Sequence, residues 1–598
     1  LDYTLNRITL FALVFVVGIV VDDSIIIAEN MHRHFKMKRL PFKQAAIYAI
    51  NEVGNPTILA TFTVIAAILP MAFVSGMMGP YMSPMPIGAS IAMLLSLFVA
   101  LTGTPYLGYH LLREKDAQEE KEAEGHDTGF IYKWYKKIEQ PLLDNKGKRW
   151  AALIGTVVIL LGSMSLFYTN SVAVKMLPFD NKNEFQVVID MDEGTTLERT
   201  AVVTQEVAQY LSNVPEVVNY QNYIGTSAPI TFNGLVRHYD MRSGSNVADI
   251  QVNLLPKAER KDQSHDIVKR IREDIQAIGD KYGANIKLVE VPPGPPVLST
   301  LVAEIYGPNY EEQIKVAAQV KDILANTQDV VDVDWMVEAD QTEYTFEIDR
   351  ERSMLNGVAP AQLVGNLTYL LREMPISHLY DETAHEQTGI VMALDESEKS
   401  SIDEIKELSI KNNRGENVPL SNLIKVSEKK ADKTIYRKDQ NRVVYVLADM
   451  AGDLESPAYA ILGMEEKLKA MDLPQGYEVN ELYMGKIEDE RNFTVKWDGE
   501  WQITLEVFRD LGAAFMVVII VIYMLIVGWF QNFKTPIVMM IAIPLSLIGI
   551  IIGHWMLGAF FTATSFIGMI ALAGVMVRNS VLLIDFIEIR LKEGAPIK

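Results

Sequence analysis

Long apolar runs alternate with charged segments along the 598 residues, and this alternation predicts most of the fold. A helix needs about 20 mostly apolar residues to cross a bilayer. Seven runs meet this requirement: 8–29, 57–75, 86–111, 150–169, 511–530, 536–556 and 563–587. The chain is therefore expected to form a membrane bundle of α-helices, interrupted by one hydrophilic block at 171–510.

The charges between the runs predict the orientation of the bundle, because cytoplasmic loops are rich in Lys and Arg. The loop after the first run, MHRHFKMKRLPFK, contains five Lys or Arg and no acid. The segment 112–149 also holds many cations, whereas the hairpins at 75–86 and 554–565 contain no Lys or Arg. The block 171–510 is thus expected on the outer side of the membrane. In a Gram-negative cell that compartment is the periplasm.

A sequence repeat relates the first and last apolar runs. GIVVDDSIIIAENMHRHFK (18–36) aligns without gaps on GVMVRNSVLLIDFIEIRLK (574–592), with glycine, serine, an acid and lysine at matched positions. Duplicated halves are typical of secondary transporters, and chance similarity between apolar helices is the alternative. By the same duplication, the first half is expected to begin about 400 residues before Leu1, and about 70 residues with two helices are expected after Lys598.

A second repeat lies in the hydrophilic block. The segments 184–220 and 301–333 each combine a strand of alternating apolar residues, an amphipathic helix and a Val-rich strand. Two copies of a βαβ pattern predict an α+β domain with paired ferredoxin-like subdomains. The PPGPP run at 292–296 is expected to form a stiff joint between them.

Two adjacent acids, Asp22 and Asp23, lie in the middle of the first apolar run. A carboxylate in hydrocarbon is costly unless it is protonated, paired or hydrated, and two neighbours repel each other. Arg578 occupies the repeat position that matches Asp22, so a cation is expected to face the acids. The group predicts a proton relay in which an ionised acid holds the Arg and a protonated acid frees it. Asn579 and Ser580 are expected to hydrate or hydrogen-bond this site, and a static ion pair is the alternative.

Composition and motifs exclude several other classes of function. The net charge of −21 argues against a nucleic-acid partner, because a binding face needs clustered Lys and Arg. The chain contains no Cys, which excludes disulfides. It also lacks a GxxxxGK[ST] phosphate loop and an HExxH motif. An enzyme, an ATP-driven pump, a bound cofactor and a metal cofactor are therefore not expected, and His32 and His34 are expected to be solvated.

The runs GIVVDDSIIIAEN and GMIALAGVMVRNSVLLIDF, together with the large hydrophilic block, resemble resistance-nodulation-division (RND) transporters. The likeness is nearest to the hydrophobe/amphiphile efflux branch of the acriflavin-resistance type. It covers the whole chain, from the family's fourth membrane helix to its tenth, so seven of twelve helices are expected here. It implies that Asp22 and Asp23 carry protons and that Arg578 replaces the usual lysine. Because arginine scarcely deprotonates, Arg578 is expected to act by changing partners.

The resemblance also implies a domain arrangement. The expected limits are 1–111 for membrane helices four to six, 112–149 for a cytoplasmic linker and interfacial helix, 150–170 for helix seven, 182–291 for the first porter subdomain, 297–349 with 433–482 for the second, 350–432 for a docking or funnel insertion, and 511–588 for helices eight to ten. A pocket loop is implied at 220–234. There Tyr220, Tyr223 and Phe232 are candidate walls of a substrate site, with ordinary packing as the alternative.

The activity implied by the resemblance is proton-driven efflux of hydrophobic or amphiphilic compounds from the periplasm or the inner membrane. The implied protein is a multi-pass subunit of the bacterial inner membrane and a homotrimer. Its implied partners are a periplasmic adaptor protein and an outer-membrane channel.

Two other functions stay open at this point. Export of Cu(I) or Ag(I) is suggested by a cluster of methionines outside the membrane, Met77, Met78, Met82 and Met85, because thioether sulfur suits Cu(I). Against it, Met is a common filler of membrane hairpins, and Val297 stands where the metal branch tends to carry a methionine. A non-pumping membrane sensor or translocation auxiliary would share the intramembrane acids but have a smaller outer domain.

Overall fold

The computed structural model describes residues 7–38, 40–111, 130–291, 294, 296–372, 375–395, 399–474, 476–592 and 594. These residues belong to two compact units. The first combines Leu1–Met336 with Ile435–Lys598, and the second is Val337–Thr434. Residues 112–129 of the expected linker and interfacial helix lie outside the described residues, as does part of the PPGPP joint.

The N-terminal apolar runs form long helices of the first unit. In chain order the helices are α1 (Arg7–Met37), α2 (Phe42–Ile68), the short α3 (Met78–Met82), α4 (Pro84–Leu111), α5 (Phe130–Asp144) and α6 (Lys146–Tyr168). The start of α6 is fixed by Asn145, whose side chain accepts from the backbone N–H groups of Gly147 and Lys148. The helix expected within 112–149 corresponds to α5, and its place in the membrane interface stays a prediction.

The first repeat segment begins a four-stranded sheet with two covering helices. Its elements are β1 (Glu184–Asp190), α7 (Leu197–Leu211), β2 (Val217–Thr226), the short α8 (Phe232–Arg237), β3 (Ser243–Leu254), α9 (Ser264–Tyr282) and β4 (Asn285–Val289). The strands are antiparallel in the order β2-β3-β1-β4, with Val187 opposite both Ile250 and Leu288. Apolar residues of the strands pack on Val207 of α7 and Ile271 of α9, which buries this face.

The second repeat segment forms β5 (Leu301–Tyr306), α10 (Tyr310–Ala325) and β6 (Val330–Trp335). The chain then passes through the second compact unit. Its elements are β7 (Thr342–Ile348), α11 (Arg350–Leu355), α12 (Pro360–Arg372), β8 (Pro375–Leu379), β9 (Thr388–Val391), α13 (Ile402–Glu407), β10 (Ser409–Lys411), β11 (Asn417–Pro419) and β12 (Ile424–Lys430). Strands β7 and β12 form an antiparallel pair, as do β8 with β9 and β10 with β11.

The second sheet is completed after that unit by β13 (Tyr436–Lys438), β14 (Asn441–Met450), α14 (Pro457–Lys469), β15 (Asn480–Leu482) and β16 (Thr494–Gly499). The order is β13-β14-β5-β16-β15, with β6 also pairing with β14. The core order β6-β14-β5-β16 therefore repeats the order β2-β3-β1-β4 of the first sheet. The sheet extends past the expected subdomain limit at 482, because β16 pairs with β5.

The C-terminal apolar runs form α15 (Glu500–Phe530), α16 (Lys534–Met540), α17 (Ala542–Leu557) and α18 (Ala563–Lys592). Within the described residues, six segments are long and apolar enough to cross a membrane: Phe42–Phe73, Met78–Leu111, Lys146–Tyr168, Glu500–Phe530, Lys534–Leu557 and Ala563–Leu591. They match six of the seven expected spans. The first expected span, 8–29, lies in α1 and is not among these six, so the count of seven stays a prediction.

Candidate functional site

The last helix approaches α2 closely because a glycine lies at their contact. A Cβ added to Gly574 of α18 would lie 2.9 Å from the Cβ of Ala67 and 3.1 Å from the Cα of Val64 in α2. These distances leave no room for a side chain, so the two helices meet at the glycine. Arg578 follows one turn later and is carried into the interior, with 1% of its side chain exposed.

Arg578 reaches the two acids of α1. Its Nη2 donates to Asp23 Oδ1 over 2.8 Å, and its Nη1 donates to the Ile19 carbonyl over 3.3 Å. The same Nη1 lies 3.5 Å from Asp22 Oδ2. The structure thus brings together the three charged residues that the sequence singled out, while their role as a proton relay stays a prediction.

The two acids have different surroundings. The Asp23 side chain is 2% exposed, whereas that of Asp22 is 48% exposed. Thr61 of α2 also contacts Asp23, since its hydroxyl lies 3.3 Å from each carboxylate oxygen. The same hydroxyl donates to the Thr57 carbonyl over 2.9 Å. The sequence analysis missed Thr61. Two threonines at 57 and 61, one helical turn apart in an apolar run, could have indicated a polar contact there.

The two residues expected to support the acids do not bond to them in the described part of the chain. Asn579 is exposed, and the Ser580 hydroxyl donates to the Met576 carbonyl over 3.0 Å. The supporting role of Asn579 and Ser580 therefore stays a prediction without a contact in its favour.

The C-terminal part of α1 carries a further polar cluster. Glu52 of α2 accepts from Arg33 over 2.8 Å and from Asn30 over 3.1 Å, and it lies 2.5 Å from His34 Nε2. The His34 side chain is only 13% exposed. The expectation that His34 is solvated is wrong, because a carboxylate of the next helix packs against its ring.

A charged cavity of about 550 Å³ is lined by residues of both sheets. At or near it, ion pairs join the elements of the first sheet to those of the second. Each cation belongs to α8, α9 or β4, and each acid belongs to β6, to β14 or to the loop after β14. The pairs are Arg237 with Asp449 at 2.6 Å, Lys287 with Asp334, Arg272 with Asp332, and Lys269 with Glu455 at 2.8 Å. We call these four pairs the latch. Burial alone would raise the pKa of Asp449, but the Arg237 charge and the Thr300 hydrogen bonds hold it well below its ordinary range.

The three residues expected to contact substrate lie elsewhere. Tyr220 is opposite Val252 in the first sheet, and the Tyr223 hydroxyl donates to Gln221 Oε1 over 2.9 Å. Phe232, at the start of α8, is 48% exposed. None of the three lines the charged cavity, whose walls sequence reasoning missed. Their role in substrate binding stays a prediction.

A buried lysine connects α18 to both sheets. The backbone N–H of Lys175 donates to the Phe561 carbonyl over 3.1 Å, just before α18 begins. Its Nζ lies 3.2 Å from Glu455 of the second sheet region. Glu455 also lies 2.8 Å from Nε2 of His265, in α9 of the first. We call Lys175, Glu455 and His265 the junction, because they connect the start of the helix that carries Arg578 to the latch.

Comparison with known proteins decides the family. The model of the AcrB/AcrD/AcrF family matches residues 1–598. The chain belongs to this family of RND transporters. It is 23% identical over 601 residues to the swarming motility protein SwrC of Bacillus subtilis, covering 99% of this chain and 53% of that protein. It is 22% identical over 597 residues to an uncharacterized transporter of Haemophilus influenzae, covering 98% of this chain and 53% of that protein.

Among solved structures, the fold resembles that of a heavy metal efflux pump. The TM-score is 0.73 at 18% identity, over 94% of this chain and 52% of that one. The RND permease fold expected from the sequence is therefore confirmed, whereas the hydrophobe/amphiphile branch is not. The chain spans about half the length of the curated relatives it matches, 53% in both cases.

In this RND family member, three of the four clustered methionines line one cavity. Met78, Met82 and Met85 line a mostly apolar cavity of about 510 Å³, with Phe179 among its other walls. Met77 is 52% exposed and is not part of that lining. Within the described residues, no group of three or more His, Cys, Asp or Glu is arranged to hold a metal ion. The cavity offers thioethers and apolar surface, and these suit either a soft metal or an apolar molecule.

Proposed function

We propose that this chain supplies the proton relay of an antiporter, and the buried contact between Asp23 and Arg578 is the observation that supports it. Buried ion pairs seldom add stability over apolar packing, so a purely structural role explains little. Two acids beside one base also leave a negative charge uncompensated, which favours uptake of a proton. A transporter needs such a group, because proton entry must change the state of the protein.

Arg578 works in this mechanism as a permanent cation that changes partners. While Asp23 is ionised, its Oδ1 accepts from Nη2 at 2.8 Å and holds the guanidinium. A proton on Asp23 removes that charge, and the guanidinium then turns toward Asp22, 3.5 Å away. Because Arg578 belongs to α18, its movement also moves that helix. The junction connects α18 to both sheets.

The proposed setting is the bacterial inner membrane, with the block 171–510 in the periplasm. The alternation of cationic loops with hairpins lacking Lys and Arg supports this orientation. A homotrimer joined to a periplasmic adaptor protein and an outer-membrane channel is the proposed assembly, and family membership supports it.

The proposed substrates are hydrophobic or amphiphilic small molecules, taken from the periplasm or the membrane. The mostly apolar cavity beside Met82 and Phe179 supports this class, because its size and lining suit a small apolar ligand. Export of Cu(I) or Ag(I) is the second candidate, since three thioethers line the same cavity. The two extended sheets outside the spans disfavour a non-pumping sensor or translocation auxiliary.

A resistance assay tests both parts of the proposal. The whole gene product is expressed in a drug-sensitive bacterial host and challenged with dyes, bile salts, solvents, Cu(I) and Ag(I). Asp23→Asn should abolish resistance without loss of protein. The control Asp403→Asn, at a side chain that is 90% exposed, should retain it. Resistance that survives Asp23→Asn would contradict the relay.

The same host separates the two substrate classes. Leucine is close to methionine in volume but lacks sulfur, so Met78→Leu, Met82→Leu and Met85→Leu are combined in one variant. Amphiphile export should persist in this variant. Protection against metals alone in the parent, lost in the variant, would replace the amphiphile proposal by metal export.

A further inference from the structure

We propose that Thr61 is a positioning residue for proton exchange at Asp23, because its hydroxyl can change hydrogen-bond partners with the protonation state of that carboxyl. The inference rests on the proton-coupled function proposed above. It assigns a function to a neutral residue of α2 that contacts the charged site.

The geometry gives one hydroxyl two competing acceptors. Thr61 is fully buried, and its Oγ1 lies 2.9 Å from the Thr57 carbonyl and 3.3 Å from both Asp23 oxygens. A hydroxyl has one hydrogen to donate and lone pairs that accept. The hydrogen therefore serves either Thr57 or Asp23 at a given moment, and equal distances to Oδ1 and Oδ2 let either oxygen take it.

The two arrangements correspond to the two states of the carboxyl. When Asp23 is ionised, Thr61 donates to it alongside Arg578. When Asp23 is protonated, its O–H donates to Thr61 Oγ1, and the Thr61 hydrogen turns to the Thr57 carbonyl. The proton stays on Asp23 throughout and no bond in Thr61 breaks, so the residue steers the carboxyl and does not relay the proton itself.

The other charged groups near Asp23 are few. Arg578 faces it from α18, and Asp22 adjoins it on α1. The sequence of α4, Pro84–Leu111, has no Asp, Glu, Lys or Arg, and its Ser96 hydroxyl donates to the Val20 carbonyl over 2.8 Å. Glu52, the acid of α2, is bonded to Arg33 further along α1. In the described residues, Thr61 is thus the side-chain donor to Asp23 other than Arg578.

The test measures transport against pH in proteoliposomes that contain the whole gene product and a fluorescent dye shown to be exported. Thr61→Val keeps the shape of the side chain and removes the hydroxyl. Hydrogen bonds to ionised acceptors are stronger than neutral ones, so the ionised state of Asp23 loses more than the protonated state. The pH profile should therefore move to higher pH by about 0.5–1 unit, a threefold to tenfold change in proton affinity.

Two variants serve as matched controls. Thr61→Ser retains the hydroxyl and should keep the parent profile. Thr63→Val makes the same chemical change at a neighbouring buried position, where the hydroxyl donates to the Ala60 carbonyl over 2.7 Å, and should also keep it. If Thr61→Val does not accumulate in the membrane, Thr61→Ala replaces it.

The outcomes separate this inference from the proposed function. An unshifted profile in the hydroxyl-free variant, with Asp23→Asn inactive, would overturn the role of Thr61 and leave the relay standing. An equal shift in Thr63→Val would also overturn it, because loss of any buried hydroxyl would then suffice. Transport by Asp23→Asn would overturn both.

Discussion

The charges around Asp23 and those of the latch pair Arg237 and Asp449 are arranged in opposite ways. Between α1 and α18, two acids share Arg578, and one acid is 2% exposed while the other is 48% exposed. The latch contains a matched pair, Arg237 with Asp449, in which one cation meets one acid. An unbalanced cluster can gain or lose a proton at lower cost than a matched pair, because its charges are not all compensated. The difference supports the proposal that Asp23 exchanges a proton, whereas the pair of Arg237 and Asp449 joins the two sheets.

Replacing Arg578 by Met should have the largest effect. The substitution leaves Asp23 buried without its cation. It is expected to lower the free energy of unfolding by about 3–5 kcal/mol and to abolish transport. The double variant with Asp23→Asn should recover much of the stability but no transport. Thermal unfolding in detergent, together with the dye-export assay, measures both. Equal instability of the single and double variants would contradict the pairing.

Asp449→Asn tests the latch and should come next in size. The Asp449 carboxylate accepts hydrogen bonds from Arg237 and from the Ser299 and Thr300 hydroxyls. Loss of its charge is therefore expected to lower the free energy of unfolding by about 2 kcal/mol. Because the pKa of Asp449 is lowered in the fold, its contribution is present above the unfolded pKa and lost as pH falls. The difference in unfolding free energy from the parent should therefore be clear at neutral pH and shrink in acid. The pH profile of transport should keep its midpoint.

Gly574→Ala and Gly18→Ala compare the two repeat helices at matched positions. A Cβ at Gly574 meets Ala67 at 2.9 Å, whereas a Cβ at Gly18 has nothing within 4 Å. Gly574→Ala is expected to push α18 away from α2. It should lower the free energy of unfolding by about 1–3 kcal/mol and reduce transport. The second should leave both unchanged. Similar effects of the two substitutions, measured by unfolding and dye export, would contradict this packing.

The smallest expected effect concerns His265 of the junction. Burial alone would lower its pKa, but hydrogen bonds to Glu290 and Glu455 outweigh burial and raise the pKa to about 9. Its stabilising contribution is therefore complete below the ordinary value of 6.5 and lost as pH rises through about 9. His265→Gln should lower the free energy of unfolding by about 1 kcal/mol at neutral pH. The loss should vanish at alkaline pH, and a constant loss up to pH 10 would argue against a charged His265.

The sequence predicted the acids and their base, because a repeat places Arg578 at the position of Asp22. It also predicted the two βαβ segments, since their patterns are local. Thr61 and the latch could not be found this way. Arg237 and Asp449 are 212 residues apart, and nothing in either segment alone indicates that they meet. The burial of His34 was missed for the same reason, because its partner belongs to another helix.

The central claim is that Asp23 gains and loses a proton as the protein works. Infrared difference spectroscopy on the purified whole gene product, taken across a pH step in lipid, detects the carbonyl stretch of a protonated carboxyl directly. The account predicts a band that titrates in the parent and in Asp403→Asn and is missing in Asp23→Asn. An unchanged band in Asp23→Asn would show that another acid carries the proton and would contradict the account.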